Sequence, residues 1–321
     1  MSSINKIPVG ISQCLLGEPV RFDGGHKRSR FITDELSRYF SFEAHCPEVA
    51  IGLGIPRKPI QLVATDSGTR VLQSDNHSVD VTEPLQGYAR SVTPALAQLC
   101  GYIFMQKSPS CGLYGMKRYG SNGYPLDTKG RGAYAAEVLN ALPLLPVEEA
   151  GRLNDAALRE NFITRVFAYH DWRKQVEAAP SAQKLIAFYS RYKYQVMAHH
   201  VPSYKAIGRL LADMKKSPIE QICKDFIHLF MGALSHLASR KGNTNVMQHL
   251  QGYLKNLLTS AEKQELQNLI DNYRTGMLPL IVPVTLLRHH LLKTEDSYLQ
   301  QQTFWSPHPE RLGLRNATLP H

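Results

Sequence analysis

The chain has 321 residues, 43% of them hydrophobic and 20% charged. That is long enough for two domains with a packed core each, and it excludes a disordered or low-complexity chain. The formal net charge of +10 is unevenly held: residues 1–150 carry 15 Lys and Arg against 14 Asp and Glu, whereas residues 151–321 carry 22 against 13.

The opening MSSINKIPVGISQC lacks the basic stretch, apolar core and cleavage site of a secretory signal, so a cytoplasmic location is expected. Lys6 to Gln13 reads as a strand, Thr33 to Phe40 as a short helix and Ser41 to His45 as a second strand. Alternation in QLVAT, TRVLQS and HSVDVT, between Gln61 and Thr82, suggests extra strands or a hairpin near an edge. Pro84 to Leu99 reads as a helix, Tyr102 to Met105 as a strand, Gly132 to Leu142 as a helix, and Leu144 to Val147 as a last strand weakened by its proline. Strand and helix in alternation predict an α/β domain with a mostly parallel sheet over residues 1–148.

Strand signals stop there, and helical periodicity takes over in Leu158 to Lys174, Ala182 to His199, Ile219 to Ser239, Asn243 to Leu258 and Ser260 to Tyr273. Breaks are expected at Pro180, Pro202, Pro218 and the Gly242 region. The second domain, 149–321, is therefore expected to be all-α, with Trp305 to Asn316 an irregular tail packed across the bundle. Met277 to Leu287, the longest apolar stretch, has 11 residues and two prolines, far short of the roughly 20 needed to cross a bilayer.

Five cysteines without an export signal argue for reduced thiols. Cys14 (SQCLLG), Cys46 (AHCPEV) and Cys111 (SPSCG) each follow a predicted strand beside a Gly- or Pro-containing turn. In a parallel sheet the carboxyl ends of the strands form the ligand crevice, so these three thiols can meet there as soft ligands for an iron–sulfur cluster or zinc. Cys100 and Cys223 lie on apolar helix faces and read as core residues. Glu48, two residues after Cys46, can serve proton transfer in the same crevice; the competing reading is a solubilising loop charge. Ser108 and Ser110 flank Pro109 beside Cys111 and either orient a water or substrate or merely form a turn. Lys27, Arg28, Arg30, Arg57, Lys58 and Lys107 offer positive charge near the same edge, and Asp23 reads as a turn former or an acid.

Four segments, QCLLGEPVRFDG, CPEVAIGLGIPR, VDVT and KSPSCGLYG, in this order across roughly residues 7–145, resemble the TudS family of thiouracil desulfidases. YKYQVMAHH, NTNVMQHLQGYLK, YRTGMLPLIVPVTLLRHHL and PERLGLRN, within about residues 158–318, resemble the YbgA-type helical domain. The fused arrangement is similar to the RudS proteins, tRNA 4-thiouridine desulfidases. The resemblance implies a [4Fe–4S] cluster held by three thiolates, here Cys14, Cys46 and Cys111, with Glu48 as the acidic catalytic residue and Ser108, or second Ser110, as the catalytic serine. It implies non-redox exchange of C=S for C=O at an open, Lewis-acidic iron, with sulfide as product.

A base within tRNA must be reached, which calls for a pocket for the base and an electropositive surface for the backbone. Arg191, Lys193, Lys205, Arg209, Lys215, Lys216, Arg240, Lys241 and Lys255 are the candidate RNA-binding residues, interleaved with Tyr189, Tyr192, Tyr194 and Tyr204; the competing reading is solvated charge and core aromatics. Competing functions are desulfuration of free thiouracil or thiouridine nucleotides, and a non-catalytic iron–sulfur sensor that binds nucleic acid. Structural zinc on the three cysteines with His45 as fourth ligand is a further alternative.

Overall fold

Ile7–Ser12 (β1) is buried along nearly its whole length, as befits the centre of a parallel sheet covered on both faces. The structure is a computed structural model describing residues 6–291 and 296–317; the first five residues of the amino-terminal reading and the last residues of the helical resemblance lie outside them. The chain divides into two compact units, Met1–Asn154 and Asp155–His321.

In the first unit β1 is followed by β2 (Phe40–His45), β3 (Ile60–Thr65), β4 (Gly68–Gln73), β5 (Asn76–Asp80), β6 (Tyr102–Phe104), β7 (Met116–Tyr119), β8 (Pro125–Gly130) and β9 (Val147–Glu149). One sheet is parallel throughout, in the order β2-β1-β6-β9. The chain runs outward from β1 to β2 and then returns to β1's other flank with β6, so the strand order reverses beside β1. That reversal opens a crevice at the carboxyl ends. Helices α1 (Pro47–Ala50), α2 (Thr82–Leu96) and α3 (Ala133–Ala141) join these strands, and α2 and α3 pack together. The α/β expectation is met.

A second sheet, β5-β4-β3-β7-β8, is mostly antiparallel. Three of its strands fall where alternation suggested them, but the β7–β8 hairpin is absent from the sequence reading because its strands are short and polar and Gly- and Asn-rich between. The last parallel strand is displaced from Leu144–Val147 to Val147–Glu149. Its two glutamates are buried, which sequence patterning does not expect; Glu148 pairs with Arg152 at 2.7 Å. The short helix expected from Thr33 starts earlier, as a wide turn over Phe31–Glu35 followed by Leu36–Arg38.

The second unit contains α4 (Ala156–Trp172), α5 (Ala182–His199), α6 (Val201–Ala212), α7 (Ile219–Ser235), α8 (Arg240–Tyr253), α9 (Ser260–Arg274), α10 (Ile281–Leu291) and α11 (Ser297–Gln300). Their starts are written in the sequence: Asp155, Ser181 and Ser239 each accept backbone N–H bonds as N-caps, and Thr259 with Glu262 forms a capping box. The break expected at Pro202 separates α5 from α6, and α6 and α10 are helices that the periodicity does not predict. Pro202 is the second residue of α6 and Pro283 the third of α10, positions in the first turn where the missing N–H has no intrahelical partner to lose. Two apolar clusters hold the unit, an aromatic one around Trp172, Phe188, Phe226 and Phe230 and an aliphatic one including Val246, Leu250, Leu266 and Leu287.

The tail is packed, as expected. Arg315 Nε donates to Glu160 at 2.8 Å, its Nη1 donates to the Phe304 carbonyl, and His308 lies 3.6 Å from the same carboxylate. Burial alone would raise the Glu160 carboxyl, but His308 and Arg315 hold it at about 2 instead of 4.5. A depressed carboxylate stabilises the fold above its unfolded pKa, and that stability is lost as pH falls from about 4.5 through about 2. Glu160→Gln is therefore expected to cost up to about 3 kcal/mol at neutral pH, with the difference from the parent shrinking on acidification. Urea unfolding followed by tryptophan fluorescence reads this directly, because both tryptophans, Trp172 and Trp305, lie in this unit.

Candidate active site

The loops after β1, β2 and β6 meet around a cavity of about 590 Å³. Cys14 lies in the turn that follows β1, Cys46 caps α1 directly after β2, and Cys111 sits in the SPSC turn beyond β6; all three line the cavity. Strand-end placement, read from the sequence, thus brings them to one place. Cys100 and Cys223 are buried elsewhere. The SPSC turn is fixed from two sides. Gly132, just before α3, lies so close that a Cβ there would come within 2.4 Å of the Ser110 carbonyl oxygen. Glu149, at the end of β9, accepts the N–H groups of Leu113 at 2.7 Å and Tyr114 at 3.2 Å.

All three thiols resist ionisation. Burial pushes Cys14 up to about 11, aided by its neighbour Cys46; burial also raises Cys46, and it raises Cys111 further. Such thiols become thiolates when a positive centre compensates them. Among the described residues no group of three His, Cys, Asp or Glu side chains converges on a single ion. Three soft thiolates lining one cavity are a donor set that suits an iron–sulfur cluster, which takes each thiolate at a separate iron. The zinc alternative with His45 loses its fourth ligand: His45 Nδ1 is 3.1 Å from the Tyr88 hydroxyl and Nε2 is 3.0 Å from Glu43, so both ring nitrogens are engaged.

Beside the thiols lies a fixed carboxylate. Arg57 grips Glu48 Oε2 through Nε (2.9 Å) and Nη2 (2.7 Å), while its Nη1 donates to the carbonyls of Val20 and Gly54. This guanidinium is only 5% exposed. The other carboxylate oxygen, Oε1, accepts from Ser110 Oγ at 2.9 Å and faces Ser108 Oγ at 3.4 Å. Ser108 Oγ in turn accepts the N–H groups of Ser110 (3.2 Å) and Cys111 (3.1 Å), which leaves its own hydrogen directed at Glu48. Ser108 lines the cavity; Ser110 is fully buried behind it. Sequence reasoning gave Arg57 only as nearby positive charge and missed Glu149 altogether. The one signal for Arg57 was its place in the CPEVAIGLGIPR segment, nine residues after Glu48.

Of the other expected cations, Lys107 lines the cavity, on a left-handed backbone with φ of 56°, together with Arg21 and Lys117. Lys27, Arg28, Arg30 and Lys58 do not line it; Arg28 pairs with Asp34 and Lys58 with Asp75. Asp23 is a turn former, accepting the Gly25 N–H at 3.0 Å. In the second unit Lys205, Arg209, Lys215, Lys216, Lys241 and Lys255 are exposed, although Lys216 pairs with Asp213. Arg191 is paired with Asp171, Lys193 lies over the Tyr204 ring, and Arg240 is half-buried. Tyr189, Tyr192 and Tyr194 are core residues, so they are not a stacking surface.

Residues 9–150 match a family model described as 2-thiouracil desulfurase, and residues 193–309 match one described as a protein of unknown function, DUF1722. The chain is 30% identical over 159 residues to the uncharacterized protein YbgA of Escherichia coli (strain K12), covering 49% of this chain and 94% of that protein. Among solved structures it is similar to one titled [4Fe-4S]-dependent thiouracil desulfidase TudS, at 29% identity over 49% of this chain and all of that one, with a TM-score of 0.37. Among the described residues no helix is long and apolar enough to cross a membrane.

Proposed function

From the premise that this chain belongs to the family of YbgA-like proteins and carries a 2-thiouracil desulfurase domain ahead of that region, we propose that it is an iron–sulfur desulfidase converting 4-thiouridine in tRNA to uridine. The reaction exchanges C=S for C=O with one water consumed and one sulfide released, and no net electron transfer. The observation that carries this reading is the meeting of three thiols with a clamped carboxylate–serine pair around one cavity. Cys14, Cys46 and Cys111 would hold a [4Fe–4S] cluster, which, when bound with one iron free of protein ligands, supplies a sulfur-seeking Lewis acid.

The chain's own residues move the proton. With Oε2 of Glu48 occupied by Arg57, proton exchange is confined to Oε1, the oxygen that faces Ser108. The two backbone N–H groups on Ser108 Oγ stabilise negative charge there, so a proton taken from water or substrate at Ser108 passes on to Glu48 Oε1. Arg57 keeps Glu48 oriented between turnovers. Arg21, Lys107 and Lys117 at the cavity wall favour a substrate bearing phosphate.

The tRNA assignment draws on the surplus of basic residues in the second half and on the exposed lysines of its helices. Anaerobically loaded protein is given thiolated tRNA and, separately, free thiouracil, and loss of the thiocarbonyl absorbance is followed. Turnover of the tRNA is expected, with a rate that falls steeply as salt rises. Reaction with the free base alone, indifferent to salt, would assign the protein to small thiolated pyrimidines, and RNA binding without sulfide release would make it a sensor.

A further inference from the structure

The β7–β8 hairpin forms one wall of the cavity, through Lys117, Tyr119 and Thr128. Arg118 and Asp127 pair across the two strands on the opposite side, at 2.9 Å through Nε. Toward the hairpin tip the surface becomes apolar and open: Tyr124 is 72% exposed and Leu126 59%. Neither lines the cavity; both lie just beyond its edge on the same hairpin.

The tip is built to hold them there. Gly123 takes a left-handed φ of 78°, the Tyr124 N–H donates to Asn122 Oδ1 at 3.1 Å, and the Gly120 N–H donates to the Tyr124 carbonyl at 2.9 Å. The backbone under the ring is thus held in a defined turn by its own hydrogen bonds. At the base of the hairpin, where Lys117 lines the cavity, Lys117, Lys129 and Arg131 are exposed. Within residues 112–131 the one acidic side chain is Asp127, already paired with Arg118.

An exposed aromatic ring at the tip of a hairpin whose base carries an excess of cations matches single-stranded nucleic acid, whose bases have faces to stack and whose backbone carries the charge. A protein partner would cover Tyr124 and Leu126 equally well, but the excess of cations along the hairpin calls for a polyanion. We infer that the β7–β8 hairpin is the RNA-contacting edge of the active site, stacking on Tyr124 a base of the strand that carries the thiolated nucleotide and meeting that strand's phosphates at Lys129. This rests on the tRNA reading above and moves part of the RNA contact from the helical half to the first unit.

The test is the affinity of the full chain for thiolated tRNA, measured by fluorescence anisotropy across a salt series, for the parent, Tyr124→Ser/Leu126→Ser and Lys129→Gln. Loss of the stack should weaken binding about tenfold or more. Lys129→Gln should weaken it less and lower the slope of log K against log salt by about 0.7 to 0.9. Parent-like thermal melting of the variants shows that the loss is one of contact. Variants that bind tRNA as tightly as the parent, with the same salt slope, overturn the hairpin assignment and leave the tRNA reading standing. A parent that has no affinity for tRNA and desulfurates only the free base overturns the tRNA reading, and the hairpin with it.

Discussion

Replacing Cys14, Cys46 or Cys111 by Ala is expected to abolish both iron binding and desulfuration, whereas Cys100→Ala and Cys223→Ala retain both. The three thiols come from three different strand ends and share one cavity, so each would hold its own corner of a cluster and none can substitute for another. Residues that merely support a ligand already cost about 10- to 100-fold in metal affinity when removed, and loss of a ligand costs more. Cys100 and Cys223 are buried outside the cavity, and their replacement removes only a small apolar side chain. Iron and sulfide analysis of protein prepared without oxygen, with the visible absorption spectrum and the desulfuration rate, reads all five variants together. Circular dichroism of the cluster-free protein separates a lost ligand from a lost fold. Full iron content and turnover in Cys46→Ala would refute the assignment of the ligands.

Glu48→Gln is expected to lower kcat by about 10² to 10⁴ while leaving iron content at the parent level. Glutamine keeps the size of the side chain and its contact with Ser110, but it cannot take up the proton that Ser108 delivers. Arg57→Lys is the companion variant. Lysine retains the charge but cannot reproduce the two bonds converging on Oε2 or the further two to Val20 and Gly54, so the carboxylate loses its aim. Its kcat should fall between those of the parent and Glu48→Gln, with KM nearly unchanged. Ser108→Ala should be more damaging than Ser110→Ala, because Ser108 lines the cavity and Ser110 is fully buried behind the carboxylate. Parent-level kcat in Glu48→Gln at full iron loading would remove Glu48 from the proton path.

How much of this was legible in the chain follows from what is local. Strand and helix periodicity, N-caps and the positions of Cys14, Cys46 and Cys111 after predicted strands are properties of short segments. They sufficed for the α/β fold followed by helices, and for gathering three thiols at one sheet edge. The resemblance of the four N-terminal segments turned Glu48 and the serines from candidates for proton transfer and water positioning into expected catalytic residues. Local pattern fell short elsewhere: the break expected at Pro202 is real, between α5 and α6, but neither α6 nor α10 reads as a helix from periodicity, and the buried Glu149 does not read as strand.

What the tertiary structure alone decided is which side chains meet across long stretches of chain. Arg57 is a clamp and not a free cation because a loop returns it to Glu48; Ser108 is told from Ser110 because one faces the cavity and the other lies behind the carboxylate. Tyr192 is core while Tyr124 is open because burial is set by neighbours distant in sequence. Periodicity and motif order are encoded residue by residue, whereas burial, hydrogen-bond partners and the direction of a carboxylate depend on packing among segments that no local pattern brings together.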